Sequence, residues 1–210
     1  MGYGTSQSKD YTYFKIEGLK KGSQELYFKG KKKNADGKYE DIAEKPVWLD
    51  GHIVDIKTES YEYEGEIIEQ IKITFNDGED AIVLQGGYSG VMVSLVNCLL
   101  GAETLGKLYM KLYVSKSGFP TMMVCHNGES GEKLSWAITP DEIKAKLIIT
   151  KLPGGKEDIN KSDLITFLKE KIDNELTGKF ETFIPEVKEG TPPAEEAKKE
   201  EEEDGDELPF

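Results

Sequence analysis

A mainly β fold, built on a small Greek-key barrel, is predicted from three observations. Short runs of alternating apolar and polar residues occupy most of residues 45–138, glycine-containing breaks separate them, and only one longer apolar run has the length of a helix. Their order is three strands, a helix, then two strands. That is the order of an OB-fold, a five-stranded barrel whose open face and flanking loops bind single strands or oligosaccharides.

Each element has its own signal. Ahead of the barrel, residues 1–44 form an extension with two predicted strands, Tyr11 to Glu17 and Glu25 to Lys31. They are expected to extend the barrel or its binding face. The barrel itself spans residues 45–138. Its first strand, Val47 to Lys57, sets Val47, Leu49 and Ile53 on one face, and Gly51 marks a bend or bulge. The second, Ile67 to Phe75, alternates Ile67, Ile71, Ile73 and Phe75 against Ile68, Gln70, Lys72 and Thr74. Asn76-Asp77-Gly78 reads as a tight turn into a third strand, Ala81 to Gln85. Gly86-Gly87 ends that strand, and Val91 to Leu100 form the mostly apolar helix, stopping near Gly101. Strands four and five are Lys107 to Ser115 and Phe119 to His126, with a return through Lys133 to Ile138. Residues 139–185 form a helical extension packed on the barrel. In it Leu164, Leu168, Ile172 and Leu176 recur at helical spacing between the capping residue Asn160 and Gly178.

The last 25 residues are of another kind. Residues 186–210 hold eleven carboxylates against three lysines, so −8 of the net charge of −13 sits there and the other 185 residues carry −5. This tail lacks the apolar content to order itself and is expected to be disordered. In the body all the strong cations are lysines, clustered at Lys29, Lys31, Lys32, Lys33 and Lys38. Lysine brings a point charge rather than a bidentate fork, which suits a phosphate backbone better than base edges.

Strand four carries the strongest functional pattern. Its alternation sends Lys107, Tyr109, Lys111 and Tyr113 to one face. Rings stack on any base while ammonium groups follow phosphates, which is what a sequence-tolerant single-strand platform needs. Tyrosines and lysines are also ordinary on solvated strands, but similar faces recur. Tyr11, Tyr13 and Lys15 alternate in the first predicted strand, and Tyr27, Lys29, Lys31 and Lys33 in the second. Tyr61 and Tyr63 fall in the loop after barrel strand one, Lys116 and Phe119 in the loop after strand four, and both loops flank the groove of an OB-fold. Trp48 and Lys72 complete the candidate set, and Trp136 is assigned to packing.

Nothing in the sequence points to catalysis, a cofactor or a metal. Cys98, Cys125, His52 and His126 lack zinc-ligand spacing, and both cysteines are expected to be free and buried. Gly86-Gly87-Tyr88-Ser89-Gly90 lacks the Lys-Ser/Thr of a phosphate-binding loop. No membrane span or secretory signal is visible, which makes the cytoplasm the expected setting.

The chain closes on Asp206-Glu207-Leu208-Pro209-Phe210. This ending resembles that of the bacterial and phage single-stranded-DNA-binding proteins, whose acidic tips end in Asp-Asp-Asp-Ile-Pro-Phe or a related run. The resemblance covers the tail and the strand order. It implies a protein that coats single-stranded DNA in replication, recombination or repair, inside a bacterium or a phage-infected cell. It also implies that Asp206, Glu207, Leu208, Pro209 and Phe210 recruit partner proteins. Phe210 would fill an apolar pocket while its carboxylate and neighbouring acids meet basic residues at the rim. The added segments at 1–44 and 139–185 set this chain apart from the bacterial homotetramers and nearer to a divergent phage-type member; a homo-oligomer of another kind stays open. The alternative reading is a module of the same fold that binds RNA or protein alone.

Overall fold

A computed structural model of the chain describes residues 11–23, 25–76, 81–176 and 178–181. The strands in chain order are β1 (Tyr11–Glu17), β2 (Tyr27–Lys33), β3 (Tyr39–Asp41), β4 (Trp48–Tyr63), β5 (Glu66–Asn76) and β6 (Ala81–Gly86). Helix α1 (Gly90–Gly101) leads to β7 (Lys107–Val114) and β8 (Pro120–His126), followed by α2 (Pro140–Ala145), β9 (Ile148–Lys151), β10 (Glu157–Asn160) and α3 (Ser162–Lys171). A π-helical turn, Ile172–Leu176, continues α3. The first eight strands make one sheet in the order β3-β2-β1-β6-β5-β4-β7-β8, and β9 and β10 make a separate two-stranded sheet.

The expected closed barrel is not formed. Its five strands are present as β6-β5-β4-β7-β8, with α1 between the third and fourth, but the sheet stays open. Closure would join β6 to β8, and both edges are already taken. β1 pairs in parallel with β6 from Tyr11↔Ala81 to Phe14↔Leu84. On β8, the Leu134 N–H donates to the Val124 carbonyl at 2.9 Å and the His126 N–H to the Glu132 carbonyl at 2.8 Å. The amino-terminal segment is therefore part of the main sheet, with the two expected strands as β1 and β2, paired antiparallel, and β3 as a third strand. Gly30 lets β3 close over β2: a Cβ there would stand 2.6 Å from Phe14 and 2.7 Å from Ile42.

One face of the sheet and the helices enclose a single apolar core containing Phe14, Phe28, Ile53, Ile71, Ile73, Phe75, Leu95, Leu99, Leu108 and Met110. Helix α1 is buried on nearly every side, its amino end capped by Ser89, whose hydroxyl accepts the Met92 N–H at 3.3 Å. Asn97, fully buried, holds the chain after β8 onto α1. Its amide donates to the Ile138 carbonyl and accepts the Ile138 N–H, each at 2.7 Å. Leu164, Leu168, Ile172 and Leu176 are all buried, as their spacing predicts. Lys169 on α3 meets Glu69 on β5 at 2.6 Å.

The segment expected to be helical also holds α2 and the β9–β10 pair. Signals for both are present in retrospect. Thr139-Pro140-Asp141-Glu142 is a capping box with proline in the first turn, and Pro153-Gly154-Gly155 is turn chemistry. Of the expected Asn76-Asp77-Gly78 turn, Asp77 and Gly78 lie outside the described residues, as does the acidic tail.

Candidate functional site

The face of the sheet turned away from the core gathers most of the predicted residues. Strand register shows this, because directly paired residues point to the same side. One row runs Asp41–Lys31–Tyr13–Val83–Thr74–Asp55 across six strands. Further along the sheet, Trp48 pairs with Lys111, Asp50 with Tyr109 and His52 with Lys107. A bulge between Ile53 and Asp55 keeps the long β4 consistent. Its extra residue, Val54, returns Asp55, Lys57 and Glu59 to the outer side while Ile56 stays in the core.

Two aromatic groups stand on this face. Trp48 stacks on Tyr109 with ring centroids 5.9 Å apart and planes tilted by 24°. Tyr109 is thereby covered, at 7% exposure, while Trp48 keeps 50%. This corrects the expectation that Tyr109 is an open stacking surface: it is the floor, and the indole above it is the accessible ring. The second group is Tyr11, Tyr13 and Tyr39, with Tyr11–Tyr13 centroids at 6.2 Å and Tyr13–Tyr39 edge-to-face at 5.5 Å. Burial, and then neighbouring Tyr39, raise the Tyr13 hydroxyl above its ordinary pKa.

The lysines are where alternation placed them, yet most are engaged. Lys29 meets Asp41 at 3.0 Å and Lys31 meets the same carboxylate at 3.6 Å. Glu59 holds Lys57 at 3.1 Å and Lys72 at 2.5 Å. Lys111 meets Glu129 at 2.6 Å. Hydrogen bonding by these ammonium groups draws Asp41, Glu59 and Glu129 below the usual carboxylate range, with Lys29, Lys72 and Lys111 respectively as the leading cause. Lys107 and Tyr113 are exposed at the two ends of β7, and Lys33 is exposed on β2 beside Tyr39. Tyr27 lies under the Lys45 ammonium, 4.8 Å from its ring centroid.

The expected loop carrying Tyr61 and Tyr63 is strand instead. β4 and β5 stay paired out to Tyr63↔Glu66, and the connection is the two-residue turn Glu64-Gly65, both with positive φ (51° and 82°). Residues 60–67 are all exposed, so the tip projects from the body with Tyr61 at 47% and Tyr63 at 61% exposure. Ile67, which alternation groups with Ile71, Ile73 and Phe75, is exposed where they are buried, because it lies on this projection, beyond the reach of the core. In the β7–β8 connection Phe119 is also exposed, with the Lys21 ammonium 4.6 Å from its ring centroid. Trp136 is half exposed rather than packed away.

Cys98 and Cys125 are free and buried, and burial pushes the Cys98 thiol up to about 11, which leaves it inert as a nucleophile. Among the described residues no cluster of three or more His, Cys, Asp or Glu side chains is placed to hold a metal ion, and no helix is long and apolar enough to cross a membrane. The tip residues Asp206, Glu207, Leu208, Pro209 and Phe210 fall outside the described residues. Sequence reading left Tyr39, Lys57, Glu59 and Glu129 out of the site. Counting alternation along β4 from Leu49 and Ile53 would have sent Lys57 and Glu59 to the core face, and only the bulge at Val54 turns them outward, whereas Glu129 reaches Lys111 only through the β8 return. Comparison of the chain with protein-family models, curated proteins and solved structures gives no match.

Proposed function

We propose that this protein is a non-enzymatic binder of single-stranded DNA with little sequence preference, built on an OB-type sheet opened between its third and fifth strands. The observation that carries the reading is the Trp48–Tyr109 stack beside Lys111, on a sheet face that also carries Lys29, Lys31, Lys57 and Lys72, with the Phe119 connection beyond the same end of β7 and the Tyr61/Tyr63 hairpin at the far end of β4. An indole braced from below by a ring can stack on any base, and the neighbouring ammonium groups suit the phosphates on either side. The strand order β6-β5-β4-β7-β8 with its intervening helix supports the fold assignment, since in that architecture these two connections border the ligand groove. The acidic ending supports recruitment of replication, recombination or repair proteins through Leu208-Pro209-Phe210.

The direct test is a titration of Trp48 fluorescence with a poly-thymidine oligomer in a Trp136→Phe background, at two salt concentrations. Quenching is expected, with an affinity that weakens as salt rises by about 0.7 log units per log unit for each phosphate neutralised. Absence of quenching at low salt would overturn the reading. The same titration with a uridine oligomer separates DNA from RNA as the preferred strand, and binding of neither would leave the protein-only alternative.

A further inference from the structure

β9 and β10 pair with each other and with no further strand among the described residues. Every residue from 148 to 160 is exposed, including Ile148, Ile149, Leu152 and Ile159 at 40–49%. A lone two-stranded ribbon is marginal in water, and an open apolar edge is a template for another strand. The rest of the molecule guards its edges. β8 is covered by residues 132–134, and β3 is three residues long with Glu40 and Asp41 upon it. β9 is the least guarded: it reads Ile-Ile-Thr-Lys, with Lys151 at its end as the one charge and no bulge or proline.

The hydrogen bonds fix which groups are on offer. The Leu152 N–H donates to the Lys156 carbonyl at 2.8 Å, so alternate residues Thr150 and Ile148 turn their backbone groups toward β10. Ile149 and Lys151 turn theirs outward. Soluble homo-oligomers are overwhelmingly closed and two-fold, with one patch meeting itself. Two antiparallel strands related by a two-fold axis normal to the sheet must place one residue opposite its own copy, which leaves Ile149 or Thr150 for β9. With Thr150 on the axis, Ile149 would face Lys151 of the second copy. With Ile149 on the axis, its outward N–H and C=O meet those of its copy. The register Ile149↔Ile159 then extends the contact into one apolar row, Ile159–Ile149–Ile149–Ile159.

We propose that β9 is a self-association edge: two copies of this chain pair antiparallel about Ile149 to form a four-stranded sheet, β10-β9-β9-β10. Charge selects β9 over β10. Lys151 stands beside Glu157 of its own hairpin, so the seam adds no uncompensated cation. The β10 edge would instead gather Glu157 and Asp158 from both copies in a chain of net charge −13. The seam is short, well under the roughly 1,000 Å² of a firm interface, so the dimer is weak and reversible.

Sedimentation velocity of the full chain from about 1 to about 300 µM, without nucleic acid, tests this. A concentration-dependent monomer–dimer equilibrium is expected. Ile149→Lys and Ile149→Asp should each weaken it at least about tenfold by placing like charges across the axis. Mixing the two variants in equal amounts should restore the dimer, because lysine then faces aspartate; misfolded variants would not rescue one another. A chain that stays monomeric throughout, or a dimer indifferent to both substitutions, would overturn the proposal. So would failure of the mixture to recover, or a dimer sensitive to Ile159→Lys alone, which would move the seam to β10.

Discussion

Trp48 owes its exposure to Tyr109 beneath it: the ring pair leaves one indole face toward solvent and shields the phenol. Replacing Trp48 with Ala is expected to cost about 1–3 kcal/mol of oligonucleotide binding, the worth of one stacked base, with thermal unfolding little changed. Calorimetric titration beside a melting curve separates the two effects. The carboxylates among the lysines make a second point at this scale. Glu59 bonds both Lys57 and Lys72, so a phosphate reaching either must displace it. Glu59→Gln should therefore tighten binding and steepen its salt dependence by about 0.7 for each added phosphate contact. A weaker or unchanged affinity would show that the pair merely orders the strand. The pH dependence has the same origin. Asp41, Glu59 and Glu129 titrate below the usual carboxylate range because lysines hold their charged forms. The ion pairs therefore support the fold above that range and are lost as pH falls through the depressed values. Protonation there frees lysines that remain charged, so affinity for a poly-thymidine oligomer measured along a descending pH series should rise while stability drifts down.

Among the elements, α1 depends on Asn97, whose side chain satisfies both backbone groups of Ile138. Asn97→Ala leaves a buried donor and acceptor unpaired and is expected to cost about 1–3 kcal/mol for each, read as a lower urea midpoint at unchanged slope. Element type was largely legible. The apolar run from Val91 predicts α1 to within a residue of Gly90–Gly101, and the i, i+4 leucines predict α3. Boundaries set by pairing were not. β4 runs to Tyr63 because β5 pairs with it that far, and the polar, tyrosine-rich composition of residues 58–63 reads as loop when the partner strand is out of view. β9 and β10 escaped notice for a related reason: with both faces in water, neither shows the alternation by which strands are recognised.

For the whole molecule, the proposed function assigns strand binding to the body and partner recruitment to the tail. Deleting Leu208 to Phe210 is expected to leave oligonucleotide affinity unchanged or higher, since it removes no lysine, while capture of replication, recombination or repair proteins is lost. A large fall in oligonucleotide affinity would place the tip in the DNA site instead. By itself the sequence determined the mainly β character, the position of α1, the buried face of α3 and the alternation that sends tyrosines and lysines to one side of β1, β2 and β7. These are properties of period and composition, carried by neighbours in the chain. Tertiary structure decided which edges meet, that β1 rather than β8 pairs with β6, that Tyr109 lies beneath Trp48, and that carboxylates from Asp41 and Glu129 reach the lysines of other strands. Such contacts join residues far apart in sequence, and competition for a strand edge or an ammonium group is settled only when all the claimants are folded together.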